Sequence, residues 1–138
     1  MSAHQCRACI VYCMDFRLHD GLARFFADQG LDQERADVIR VAGAGKTLVR
    51  PGHDRDREWL LEQLTISYDL HQARQFYVIN HEDCGAYGPE VIPDSEEELG
   101  VHRGDLAGAR AFLRERFPDV DEQTYFMWLD GHAEHVTD

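Results

Sequence analysis

The spacing of apolar positions changes several times along the chain, and each change predicts an element. Cys9-Ile-Val-Tyr-Cys13 is a short apolar run with β-branched residues between polar flanks, which predicts a buried strand. Leu18, Leu22, Phe25 and Phe26 then fall at i, i+4, i+7 and i+8, the stripe of a helix that Gly30 stops. A second strand over residues 37–41 runs into a loop at Ala42-Gly43-Ala44-Gly45. Arg50-Pro-Gly52 argues against a helix directly after that loop. Helical spacing resumes near Asp56, with Leu60, Leu61, Leu64 and Tyr68 on one face, and lasts to about Ala73.

Residues 75–80 predict a third strand, and residues 81–88 a turn rich in functional groups. Residues 89–100 read as a surface loop whose Glu96-Glu97-Glu98 run is a solvated face. A further helix over residues 105–117 carries Leu106, Ala109, Phe112, Leu113 and Phe117, and residues 124–129 form the last strand. Alternating strands and helices predict one α/β domain over residues 1–138, Rossmann-like, with a mainly parallel sheet and helices on both faces. In such sheets chemistry collects outside the C-terminal ends of the strands.

Composition narrows the partners. At 138 residues with 43% hydrophobic content, the chain can bury a core without disulfides. No run of about 18 apolar residues exists, and residues 1–5 lack the basic and apolar segments of a signal peptide, so a cytoplasmic location away from membranes is expected. A net charge of −12, from 26 acidic against 14 basic residues, disfavours nucleic acid. The expected partner is a small-molecule substrate.

Four cysteines, Cys6, Cys9, Cys13 and Cys84, are more consistent with metal binding or free thiols than with disulfides in such a chain. Cys13 ends the first strand, and His81 and Cys84 lie just past the third. If those strands are neighbours, two sulfurs and an imidazole converge on one crevice, a donor set suited to zinc with a fourth position left over. Read singly, Cys13 and Cys84 are equally small buried hydrophobes. Asp15 and Arg17 follow at alternate positions. The aspartate either takes the fourth position or accepts a hydrogen bond from water there, with Arg17 holding it off the metal.

Other candidates are weaker. Cys6-Arg-Ala-Cys9 sits at the start of the strand that Cys13 ends, roughly 13 Å away, so it is not expected to share an ion with His81 and Cys84 and reads as a pair of inert thiols. Gly43-Ala-Gly-Lys-Thr47 lacks the first glycine of a phosphate loop, since position 40 is Arg40, and Pro51 interrupts the helix that should follow. Its glycines more plausibly let the backbone pass close to the crevice. His19, His53, His71, His102, His132 and His135 are expected to be solvated.

Cys13-Met-Asp15-Phe-Arg17, Ile39-Arg-Val-Ala-Gly43 and Asn80-His-Glu-Asp-Cys84-Gly-Ala86, in that order, resemble the β-class carbonic anhydrases, with the chain as a short, divergent member. The resemblance spans about residues 9–88. It implies strand order 2-1-3-4, zinc held by Cys13, His81 and Cys84, an Asp15–Arg17 dyad beside the metal-bound water, and a homodimer or larger homo-oligomer. The implied reaction is reversible hydration of CO2 to bicarbonate by hydroxide generated at zinc. Relatives with this motif act on carbonyl sulfide or carbon disulfide, which is the alternative, and a non-catalytic zinc-binding protein is the third. Two departures stand out: Val41 replaces the family's asparagine before Ala-Gly, and Glu82-Asp83 adds negative charge between two expected ligands.

Overall fold

A computed structural model describes residues 4–34 and 36–137. Of the segment read as lacking a signal peptide, residues 1–3 lie outside the described residues. The first strand, β1 (Ala8–Tyr12), is buried at all five positions. Its continuous apolar run is the mark of a strand covered on both faces. Cys9 and Val11 point into one apolar layer, and Ala8, Ile10 and Tyr12 into the other.

On one side β1 pairs in parallel with β2 (Asp37–Arg40), and on the other with β3 (Gln75–His81), which pairs in parallel with β4 (Asp121–Met127). The order is 2-1-3-4-5, the expected arrangement plus an antiparallel edge strand, β5 (Ala133–His135). Helices cover both faces. Leu22 and Phe25 of α1 (His19–Asp28) and Leu31 of α2 (Leu31–Glu34) pack with Ile10, Tyr77 and Ile79. Leu48 of α3 (Lys46–Val49), Leu60 and Leu64 of α4 (Asp54–Leu70), and Leu106 and Leu113 of α5 (Glu96–Arg116) pack with Val11, Phe76 and Val78. Among the described residues no helix is long and apolar enough to cross a membrane.

Three details depart from the sequence reading. α3 does follow the glycine loop directly, as a single turn that fits before Arg50 and the helix-breaking Pro51. α5 starts nine residues earlier than its apolar stripe indicates. The Ser95 hydroxyl accepts from the Glu98 amide at 3.0 Å, so the acidic run is the first turn of a capped helix rather than loop. β5 is a three-residue edge pairing too short to leave a periodic signal.

The glycine loop, expected to pass close to the crevice, packs against the C-terminal end of β3, and its Ala42 lines the crevice. The Gly45 amide donates to Asn80 Oδ1 at 2.9 Å, at the C-terminal end of β3. A Cβ on Gly45 would sit 3.0 Å from that oxygen, 3.3 Å from Val78 Cγ1 and 3.4 Å from Leu106 Cδ2. Gly45→Ala is therefore expected to lower stability by about 1–3 kcal/mol through overpacking. Urea denaturation checks it, and an unchanged midpoint would show that the loop can retreat at no cost.

Candidate metal centre

The register of β1 with β3 sets Tyr12 opposite Ile79, so Cys13 and the Asn80–His81 step emerge side by side at one edge of the sheet. Cys84 enters from the turn after β3. One ligand-type atom each from Cys13, His81 and Cys84 lies within 4.8 Å of the other two, and all three residues are buried. The sequence reading brought these residues together by assuming adjacent strands, and the adjacency is present.

Each group is held by its own local bonds. Arg40 at the end of β2 donates to the Cys13 carbonyl from Nε at 3.2 Å and Nη2 at 3.1 Å, and Nη2 also reaches the Asp15 carbonyl at 3.1 Å. The His81 Nδ1 bonds the Glu82 carbonyl at 2.7 Å, which fixes Nδ1 as the protonated nitrogen and leaves Nε2 to face the sulfurs. That Nε2 is buried with no hydrogen-bond partner among the described residues. Such an orphan is costly unless another electron-pair acceptor occupies the site.

Electrostatics in the trio point the same way. The Cys84 thiol beside Cys13 holds the Cys13 pKa well down, against the opposing effect of burial. The proton shared between them pushes Cys84 up, and burial adds to the rise. Burial opposes a charged His81, yet the adjacent Cys13 sulfur lifts the ring above its ordinary value. One thiolate, one thiol and one imidazole packed this tightly form a nucleophilic pocket that a divalent cation satisfies.

Asp15 stands beside the trio, with Oδ2 3.9 Å from His81 Nε2. Both its oxygens are engaged by Arg17. Oδ1 accepts from the Arg17 amide at 2.9 Å and from Nε at 3.0 Å, and Oδ2 accepts from Nη2 at 2.6 Å. The guanidinium holds the Asp15 carboxyl down to about 2. Arg17 Nη1 also donates to Asp83 Oδ2 at 3.0 Å, so the arginine bridges the turn after β1 to the turn after β3. The crevice above is lined by Cys13, Met14, Asp15, Phe16, Arg17, Ala42, Gly85 and Ala86.

Support behind the site was not legible as function. Asp83 adopts φ 56°, and its amide donates to Glu98 Oε2 at 2.7 Å, while the Asp94 amide takes Oε1 at 2.9 Å. Glu98, read as solvated, is 2% exposed and pins the His-x-x-Cys turn to α5. The nearby Glu82 accepts from the Leu129 amide at 3.0 Å. The extra charges between the two expected ligands are thus both tied into the scaffold. His102 is likewise buried rather than solvated. Asn80 Nδ2 meets its Nδ1 at 3.0 Å and donates to the Tyr87 hydroxyl at 2.8 Å. His71 is half-buried against Asp37, whereas His19 and His53 are exposed as expected. His132 stacks on Trp128 and His135 on Tyr125, still at the surface.

A family model described as "Putative carbonic anhydrase" matches residues 3–137. An uncharacterized protein of Rickettsia conorii is 29% identical over 131 residues, covering 92% of this chain and 70% of that protein. Another from Rickettsia bellii is 30% identical over 131 residues, covering 92% and 79%. Among solved structures, the β-carbonic anhydrase CafD of the filamentous fungus Aspergillus fumigatus has the same fold. A mutant form gives a TM-score of 0.58 at 14% identity, and the wild type 0.55 at 13%, each covering 96% of this chain and 90% of the other.

Burial lowers the pKa of His102 to about 4. A histidine depressed in the folded state is protonated first in the unfolded chain. Between its ordinary value near 6.5 and about 4 the unfolded state binds more protons, so stability falls as pH falls through that window. The loss expected is on the order of 3 kcal/mol. His102→Gln should flatten the slope of urea midpoint against pH between 4 and 7, and an equal slope in the variant would assign the effect elsewhere.

Proposed function

This chain belongs to that carbonic anhydrase family, and on that premise we propose that it is a zinc-dependent lyase that hydrates CO2 to bicarbonate, with Cys13, His81 and Cys84 holding the metal. The observation that carries the reading is the buried, unpartnered His81 Nε2 facing two sulfurs, one of them already favoured as thiolate. Zinc bound there would supply a Lewis acid that makes hydroxide available, and because the sulfur ligands offset its charge the activity is expected to rise above neutral pH.

The chain's own groups do the rest. Arg17 fixes Asp15 and keeps it ionised, so that Asp15 accepts a hydrogen bond from the attacking oxygen and orients it toward the substrate. The engagement of both Asp15 oxygens by Arg17 favours a carboxylate held off the metal over one that closes the fourth position. Met14, Phe16, Ala42 and Ala86 give the crevice apolar walls suited to a small neutral molecule. Carbonyl sulfide and carbon disulfide share that chemistry and form the second reading. The same premise extends to assembly as a homodimer or larger in the cytoplasm, and the exposed Met14 and Phe16 at the crevice lip support a covering partner.

Cys84→Ala is expected to lose the metal bound at this trio, measured by metal analysis after removal of loose zinc. Retention of that ion at full occupancy would count against the ligand set. Stopped-flow CO2 hydration by the zinc-loaded chain is the direct assay. There Asp15→Asn should keep its zinc while losing about two orders of magnitude in kcat/KM. Zinc bound by the trio with no CO2 turnover would remove this activity and leave the sulfur-containing electrophiles as the substrates to assay.

A further inference from the structure

The opposite edge of the same sheet carries a second group of metal-ligating side chains. Cys6 precedes β1, Asp37 opens β2, and His71 caps the C-terminal end of α4. One ligand atom from each lies within 4.8 Å of the other two. β1 separates this group from the first by its full length, roughly 16 Å of strand.

The contacts converge on a single carboxylate. Asp37 Oδ2 takes the Ser67 hydroxyl at 2.6 Å, the His71 ring Nδ1 at 2.7 Å and the Cys6 thiol at 3.6 Å, while Oδ1 meets the same Nδ1 at 2.9 Å. Three donors crowd one oxygen. We propose that Cys6, Asp37 and His71 form a second divalent-metal site, taking zinc or a similar borderline cation, with water completing the coordination.

Sulfur, carboxylate oxygen and imidazole nitrogen are the donor types zinc uses. The Cys6–Asp37 separation of 3.6 Å matches the roughly 3.5 Å sulfur–oxygen edge of a tetrahedral zinc site. Asp37 and His71 must part from 2.7 Å to about 3.3 Å, the corresponding nitrogen–oxygen edge. Their side chains are 29% and 32% exposed, so they have room to move and the ion has a route in. On binding, the Cys6 S–H bond gives way to a sulfur–metal bond and its proton leaves to solvent, while the His71 ring proton passes from Nδ1 to Nε2 so that the Nδ1 lone pair can ligate. Ser67 stays on Asp37 and orients it, as an outer-shell partner does. Cys9 is a poor fourth ligand, because burial pushes its thiol up to about 12. The ion would tie the starts of β1 and β2 to the end of α4.

This inference rests on none of the proposed activity. The test is metal analysis of the whole chain after zinc loading and gel filtration. Wild type should retain two equivalents, Cys6→Ser and His71→Ala one each, and Cys13→Ser/Cys84→Ser one. With cobalt in place of zinc, the double variant should keep a thiolate-to-cobalt band in the near ultraviolet that adding Cys6→Ser removes. Should the double variant not fold, wild type against Cys6→Ser decides by stoichiometry alone. Equal metal content in wild type and Cys6→Ser overturns the second site and leaves the first untouched. One equivalent that Cys6→Ser removes upholds the second site and counts against the first.

Discussion

The parallel pairing of β1 with β3 is the constraint on which the rest depends. It is a ladder buried at every position but the half-buried Gln75, with Ala8–Tyr12 opposite Gln75–Ile79, and it leaves the two strands level where they end. Because side chains alternate along a strand, a slip of one residue would turn every buried side chain of β1 to the opposite apolar layer. The cores on either face therefore lock the register. The meeting of Cys13 with His81 follows from that packing rather than from any affinity between them.

What the ladder brings together is unfavourable without a cation. Two sulfurs and an unpartnered imidazole nitrogen are buried within 4.8 Å of one another. The proton is shared unevenly, with Cys13 favoured as thiolate and Cys84 as thiol. A folded chain keeps such an arrangement only where other contacts hold it in place. Here Arg40 clamps the Cys13 carbonyl, Arg17 joins Asp15 to Asp83, and Glu98 secures the Asp83 amide.

The sheet and the trio were legible because both leave local signatures. β1 and β3 are near-continuous apolar runs, and the ligand-type residues fall at the points where those two strands stop. The supporting groups were not legible because their meaning lies in partners distant in sequence. Glu98 looks like one of three solvated acids until Ser95 caps α5 and turns it inward to an amide 15 residues away. The Ser-x-x-Glu spacing was the available signal, but the apolar stripe of α5 begins later and masked it. His102 falls four and seven residues before Leu106 and Ala109 on the buried face of α5, but a helix read as starting at residue 105 left it outside the stripe.

Although the chain carries a net charge of −12, the acids around the crevice are individually met by donors. Around the trio, the carboxylates of Glu82, Asp83 and Glu98 all accept hydrogen bonds from backbone amides or from Arg17. Their charge is met by fixed donors, so it is partly neutralised where it stands. Asp15 differs in position rather than in bonding, being the carboxylate that lines the crevice and comes within 3.9 Å of His81 Nε2. A negative group at that distance, held by one arginine, adds to the attraction that the neighbouring sulfurs exert on a cation. Geometry alone thus separates the acids tied into the scaffold from the one that faces the crevice, a division that composition and net charge cannot reveal.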